Sequence, residues 1–373
     1  MANLFFVHTP LQLMIAQQII SQEKLKNNIM LYSYVFESKK LLDTYELMTI
    51  SSLWAHKRFL KDLNNWAFIS PRSLFSSTFS CYRKFKIIEE LVKKNNVDSV
   101  YLSDINNRSY KLTALFYHKK GLKVSFFEDG SSHYMNLHSI YKGAKIIRFL
   151  IGSIWDYIFY LPLMRLQYGK FMFYMDYPNN MIPIDSRYSL IPYYKEQYDI
   201  HLQHNFLYSD SLKDYLNYTV GELSGKDNIL FITSPIYEDH ANDNSKIYLD
   251  TISEFIKKYN CHNVLFIKFH PRERENDKKE IINILNKNNI EYRVLSSEYS
   301  IPVEYYLNYI KFREIVCFYT TTALYNGYLF PRTKFTFLYK AYYNNCLSNN
   351  APNVNTLKHC IDEFENVLSI LKK

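Results

Sequence analysis

Apolar and polar positions alternate along the chain in two forms: short runs of aliphatic, aromatic and β-branched residues, and longer stretches with an apolar residue every three or four positions. The first form predicts strands and the second helices, and their alternation predicts a parallel sheet covered by helices. Leu4–His8 reads as the first strand, and Pro10 opens a helix with Leu11, Met14, Ile15 and Ile19 on one side. Ile29–Phe36 and Ala67–Ile69 are further strands. Cys81–Asn95 carries Ile87, Ile88, Leu91 and Val92 at helical spacing, and the strands Ser99–Leu102 and Lys123–Phe127 flank a helix over Ser109–Lys120. Asp176–Ser224 shows no clear period and holds Pro178, Pro183 and Pro192, which predicts an irregular connection. Alternation then resumes. Asn228–Thr233, Asn263–Phe269, Tyr292–Leu295, Ile315–Phe318 and Lys334–Tyr339 read as strands. Lys246–Tyr259, Lys278–Asn288, Thr322–Leu329 and Thr356–Leu371 read as helices.

Two alternating halves predict an α/β protein of two Rossmann-like domains, 1–200 and 201–373, facing a central cleft. A length of 373 residues, 47% of them hydrophobic, suffices for two cores. With 35 Tyr and 26 Phe against 8 Gly and 11 Pro, the composition is that of a globular chain and excludes disorder. Five widely spaced cysteines, none in a Cys-x-x-Cys arrangement, indicate neither a disulfide framework nor a zinc knuckle and fit a reducing compartment. Met1–Ile20 is apolar but lacks a basic flank, and Pro10-Leu11-Gln12 interrupts it, so it reads as strand, turn and helix rather than as a signal peptide. The run Phe149–Met164 is shorter than the roughly 20 residues needed to span a bilayer and contains Asp156. A buried packing segment is the first reading of it and peripheral membrane contact the second.

A net charge of +9 favours an anionic partner. Three short polar motifs, each directly after a predicted strand, supply the chemistry: Glu128-Asp129-Gly130, Lys268-Phe269-His270-Pro271-Arg272-Glu273, and Thr320-Thr321-Thr322. In open α/β sheets ligands bind at the carboxyl ends of strands, where all three are expected. Adjacent carboxylates disfavour joint ionisation, which can raise one of them toward the pKa of a general base. His270 among Lys268, Arg272 and Arg274 suits a departing phosphate, and hydroxyls at a helix start suit the same group. Each motif has a plainer structural reading as a turn, a strand-end histidine or a helix cap. Ser234-Pro235 and the nearby Glu238 and Asp239 follow another strand, and Glu304 could accept hydrogen bonds from a ribose or begin a helix. No Asp-x-Asp pair and no His-Glu-x-x-His occur, which speaks against a metal-held diphosphate and a zinc hydrolase.

In order and spacing these motifs resemble those of the bacterial sialyltransferases. His8-Thr9-Pro10-Leu11-Gln12-Leu13 and Thr233-Ser234-Pro235 look most like the lipooligosaccharide sialyltransferase family, glycosyltransferase family 52. The acidic, His-Pro and Thr motifs are shared with the capsular polysialyltransferases. The resemblance implies a GT-B fold, cytidine monophosphate (CMP)-sialic acid as donor, no metal or other cofactor, and inversion at the anomeric carbon. It assigns Glu128 or Asp129 as base and His270 to the leaving phosphate. Ser234, Pro235, Lys268, Pro271, Arg272, Thr320, Thr321 and Thr322 would hold the nucleotide, and Glu304 its ribose. Some lipooligosaccharide enzymes have an Asp after Ser-Pro as base; Ile236 stands there, so Glu128 comes first, Asp129 second and Glu238 third. The implied acceptor is a galactoside or sialoside of a surface glycan, lipooligosaccharide or capsule. The implied location is the cytoplasm, with peripheral contact at the inner membrane and a homodimer both compatible. A UDP-sugar donor is the enzymatic alternative. A nucleic-acid-binding protein is the distant one, with no recognisable RNA-binding motif to support it.

Overall fold

The computed structural model describes residues 2–34, 39–61, 86–103, 117–118, 120–128, 130, 134, 184–193, 196–203, 205–220, 228–240, 245–258, 264–295, 298–330 and 333–371. By its internal contacts the chain divides into two compact units, Met1–Asp129 with Tyr141–Ser209, and Gly130–Ile140 with Asp210–Lys373.

The first unit holds a seven-stranded sheet in which every pairing is parallel: β1 (Ala2–Val7), β2 (Asn28–Tyr34), β3 (His56–Lys61), β4 (Val97–Leu102), β5 (Lys123–Phe127), β6 (Ser186–Ser189) and β7 (Asp199–His201). The order β3-β2-β1-β4-β5-β6-β7 reverses its direction of growth between β1 and β4. That switch point opens a crevice at the strands' carboxyl ends. Phe5 anchors the sheet centre, stacked on Tyr101 of β4 at 4.2 Å and meeting Trp54 edge-on at 5.5 Å.

The helix Pro10–Gln22 leaves β1 through a capping box. Thr9 Oγ1 accepts from Gln12 N at 3.2 Å, and Gln12 Oε1 accepts from His8 N at 2.6 Å and Thr9 N at 3.2 Å. Pro10 takes the first helical position, where its missing N–H costs nothing. The opening His-Thr-Pro-Leu-Gln motif therefore builds the turn at the switch point. The helix is buried all round from Gln12 to Ile20, rather than on one side as the apolar spacing predicts. Its polar Gln17 is used inside: Nε2 donates to Met48 O and Oε1 accepts from Ile50 N.

The described part of Asp176–Ser224 is more ordered than the prolines of the segment suggest. It contains β6, β7 and the helix Asp210–Val220. The polar β6 and β7 are joined by Arg187, which forks onto Asp199 at 2.6 and 3.0 Å. β3, His-Lys-Arg-Phe-Leu-Lys, carries no strand-like apolar run because it is the exposed edge of the sheet. Ala67–Ile69, most of Ser109–Lys120 and Phe149–Met164 lie outside the described residues. Among the described residues no helix is long and apolar enough to cross a membrane.

The second unit holds a five-stranded parallel sheet: β8 (Ile229–Ile232), β9 (Leu265–Lys268), β10 (Tyr292–Val294), β11 (Glu314–Cys317) and β12 (Lys334–Phe337). Its order, β10-β9-β8-β11-β12, places a second switch point between β8 and β11. β8, β9 and β11 are buried along their whole length, which is why they read as apolar runs, broken only by Lys268 at the end of β9 and Glu314 at the start of β11. Helices Ser245–Lys258, Glu275–Lys287 and Val354–Leu371 lie close to their expected bounds. The expected helix Thr322–Leu329 is two short pieces, Thr321–Leu324 and Asn326–Leu329, interrupted at Tyr325. A further helix, Tyr339–Ser348, follows β12.

Candidate active site

In the second unit the carboxyl ends of three adjacent strands carry the motifs. Thr233-Ser234-Pro235 follows β8, Lys268–Glu273 ends and follows β9, and Tyr319–Thr322 follows β11. The first two are tied together at the backbone. Thr233 N donates to Lys268 O at 3.1 Å, and His270 N donates to Thr233 Oγ1 at 3.0 Å. Beyond His270 the chain turns at once, with Glu273 N donating to His270 O at 2.9 Å across Pro271 and Arg272. Arg272 N donates to His270 Nδ1 at 3.1 Å. A ring nitrogen that accepts carries no hydrogen, so the neutral imidazole of the half-buried His270 has its proton on Nε2.

Lys268, Glu304 and Thr322 converge behind this edge. Lys268 is 7% exposed, Glu304 at the start of the helix Val303–Tyr309 is 4% exposed, and Thr322 is buried. Thr322 Oγ1 donates to Glu304 Oε1 at 2.8 Å. Burial raises the Glu304 carboxyl above its ordinary pKa, against the pull of its own backbone N–H, Thr322 and the Lys268 charge. Thr320 caps the short helix, its Oγ1 accepting from Thr322 N at 3.4 Å. Thr320 and Thr321 are half-buried. The three threonines thus divide into an inner brace, Thr322, and two outer hydroxyls. Because the folded pKa of Glu304 is raised, its ionisation costs stability as pH rises. Thr322→Val removes the donor and enlarges that loss. We expect a destabilisation of about 1–3 kcal/mol near about pH 8 that shrinks near about pH 5, read from denaturant unfolding; identical curves at both pH values would show that the hydroxyl braces nothing.

Glu128 of the acidic motif sits in the first unit, at the carboxyl end of β5. Glu128 is 0% exposed, its Oε2 accepting from Leu190 N at 2.8 Å and its own N–H donating to Tyr188 O at 3.1 Å. Gly130 adopts φ +80°, a conformation that strains any residue with a Cβ and explains the glycine after the acidic pair. Asp129 lies outside the described residues, as does the side chain of Asp239. Glu238 is engaged by two guanidinium groups, Arg274 at 3.3 Å and Arg272 at 3.9 Å. Arg274 also lies over the Tyr237 ring at 5.3 Å.

Three participants have no role in the motif reading, although Thr233 and Glu273 stand within its motifs. Thr233 holds His270 by its backbone, Leu190 N–H holds Glu128, and Glu273 turns inward among Tyr248, Thr233 and Asp277. A threonine preceding Ser-Pro at a strand end was the only signal for the first, and nothing local marks the second. Among the described residues no group of His, Cys, Asp and Glu is placed to hold a metal ion. Cys317, Cys346 and Cys360 are buried, and burial pushes the Cys317 thiol well up, which makes it inert as a nucleophile.

Two parallel sheets of Rossmann order, with polar motifs at their carboxyl edges, define the GT-B fold. A candidate UDP-N-acetylglucosamine 2-epimerase from Listeria monocytogenes shares the fold at 10% identity, over 100% of this chain and 90% of its own, with a TM-score of 0.50. The spinosyn rhamnosyltransferase SpnG aligns over 100% and 92% at 10% identity and a TM-score of 0.46. MurG from Acinetobacter baumannii aligns over 100% and 99% at 10% identity and a TM-score of 0.38. No curated protein matches. The chain belongs to the alpha-2,8-polysialyltransferase family, whose model matches residues 3–339. Of the two families whose motifs the sequence carries, this is the one the match singles out.

Proposed function

We propose that the protein transfers sialic acid from CMP-sialic acid, with inversion and without a metal, to a sialoside or galactoside of a bacterial surface glycan. The observation that carries this reading is the family match, which spans the acidic, His-Pro and Thr motifs together. On this reading we rank polysialic acid synthesis on a sialylated acceptor ahead of single additions to lipooligosaccharide. Work on a membrane-borne glycan at the inner face of the inner membrane fits the net charge of +9.

Inversion calls for a base at the acceptor hydroxyl and a group that relieves charge on the leaving phosphate. Glu128, with Asp129 beside it, takes the acceptor proton. Leu190 N–H fixes one oxygen of Glu128 and so orients its carboxylate. The Nε2–H of His270 donates a hydrogen bond to a phosphate oxygen of the departing CMP and offsets the charge that oxygen gains as the glycosidic bond breaks, the bonding electron pair leaving with the phosphate. Thr320, Thr321, Lys268, Arg272 and the Ser234-Pro235 loop hold the nucleotide, and Glu304 its ribose. The transition state is oxocarbenium-like, so a carboxylate near the anomeric carbon also offsets developing positive charge.

A donor and acceptor panel tests the reading. We expect CMP release from CMP-sialic acid, accelerated by a sialylated acceptor, and product chains that lengthen with time. Turnover of a UDP-sugar in place of CMP-sialic acid would overturn the donor assignment. Products extended by one residue only would return the acceptor reading to single addition.

A further inference from the structure

We propose that Glu273 is the positioning residue of His270, acting through the hydroxyl of Thr233; this rests on the reading of His270 as the leaving-group residue. Both backbone polar groups of His270 are tied to Glu273. The carbonyl accepts directly from Glu273 N at 2.9 Å, and the N–H donates to Thr233 Oγ1 at 3.0 Å. The same Thr233 hydroxyl is a hydrogen-bond partner of the Glu273 carboxyl. A hydroxyl has one hydrogen, so Thr233 donates it to Glu273 while accepting from His270.

The carboxyl is turned into the interior of the second unit, with the residue 4% exposed. Tyr248 Oη donates to Oε2 at 3.3 Å, and Oε1 makes no hydrogen bond to a described residue. The surrounding charged and titratable groups come from three elements. Asp277 and Lys278 belong to the helix Glu275–Lys287, Tyr248 to the helix Ser245–Lys258, and Tyr237, whose hydroxyl donates to Asp277, to the helix Ile236–His240. Arg274 lies over Tyr237 and pairs with Glu238, so its charge is spent at the rim. Burial is the largest influence on Glu273 and raises its pKa to about 7, with Thr233 and Tyr248 pulling it down, Asp277 raising it and Lys278 lowering it.

Ionisation therefore falls in the working range, and it reaches His270 by one route. A hydroxyl that donates to a carboxylate is polarised and becomes the better acceptor, which tightens the bond from His270 N. Protonation of Glu273 loosens that bond and lets the His-Pro turn relax. The glutamate touches neither substrate nor reacting atom; it sets where the imidazole sits.

The test uses the full chain labelled with [¹³C]histidine, with His270→Ala assigning the resonance. Between about pH 5.5 and about 8.5 the wild-type His270 signal should move in two steps, its own and that of Glu273, and in E273Q only one step should remain. The same single-step curve in wild type and E273Q overturns the proposal. Should E273Q fail to fold, Thr233→Val carries the same resonance test, because it cuts the route while keeping the carboxyl.

In turnover, E273Q and Thr233→Val should each lower kcat about tenfold with the donor KM within about twofold, and the double variant should fall no further. Losses that multiply to about a hundredfold, or a change in KM alone, overturn the proposal. If the wild type does not use CMP-sialic acid, the functional reading fails by itself, since the resonance arm needs no donor.

Discussion

His270→Ala lowers kcat for CMP release by about 10²–10³-fold, the range for removing one donor aimed at developing negative charge, while the protein stays folded. The magnitude follows from the leaving group. A phosphate that departs with the bonding electron pair gains charge, and the imidazole Nε2–H is the donor that the geometry prepares for it. Arg272 N at Nδ1 excludes the other neutral tautomer, and Thr233 and Glu273 clamp the residue from its two backbone ends. None of these backbone bonds needs the imidazole except that from Arg272, so the turn survives the truncation. CMP binding should stay within about fivefold of wild type, because the phosphate contacts assigned to Thr320 and Thr321 remain. Unchanged kcat in His270→Ala would reject the role outright. A loss confined to donor KM would reduce the histidine to a binding group.

The legible and the hidden parts of this chain divide along physical lines. β8, β9 and β11 could be read because strands buried on both faces must be continuously apolar, as Ile229–Ile232 and Leu265–Lys268 are up to the lysine. β3 could not, since an exposed edge strand answers to no core and may be written His-Lys-Arg. β6 and β7 are three or four residues each and take their stability from Arg187 on Asp199, a pairing between strands that no local period encodes. The helix Asp210–Val220 does bear an apolar stripe, Leu212, Leu216 and Val220, which the upstream prolines masked.

At the site, strand-end position marked His270 and the threonines, because a switch point concentrates function there. The roles within the cluster are set at long range instead. Thr233 meets His270 across 37 residues, Thr322 meets Glu304 across 18, and Leu190 meets Glu128 across 62. The family resemblance assigns Glu304 and Thr322 to the nucleotide, and no spacing in sequence shows that they bond to each other.

Glu128→Gln and Asp129→Asn are expected to differ sharply. The first should cost about 10²–10⁴-fold in kcat and the second less than about tenfold. Glutamine keeps the shape of Glu128 and an oxygen to accept from Leu190 N, so the backbone join between β5 and the end of β6 persists while the capacity to take a proton is gone. The fold should therefore hold in Glu128→Gln, seen as an unshifted unfolding curve. Glu128→Ala adds a structural penalty, because a buried N–H at Leu190 is left without its partner, at a cost of about 1–3 kcal/mol. Comparing the glutamine and alanine variants separates chemistry from architecture at one residue: activity lost in both, stability lost in the second alone. The reverse result, an active Glu128→Gln beside a dead Asp129→Asn, would make Glu128 the brace of its strand end and pass the base to Asp129. Full burial of Glu128 makes this contrast decisive. A carboxylate held by the backbone and closed to bulk water is either a base oriented for one hydroxyl or a structural acceptor, and only the glutamine variant removes the first role while keeping the second.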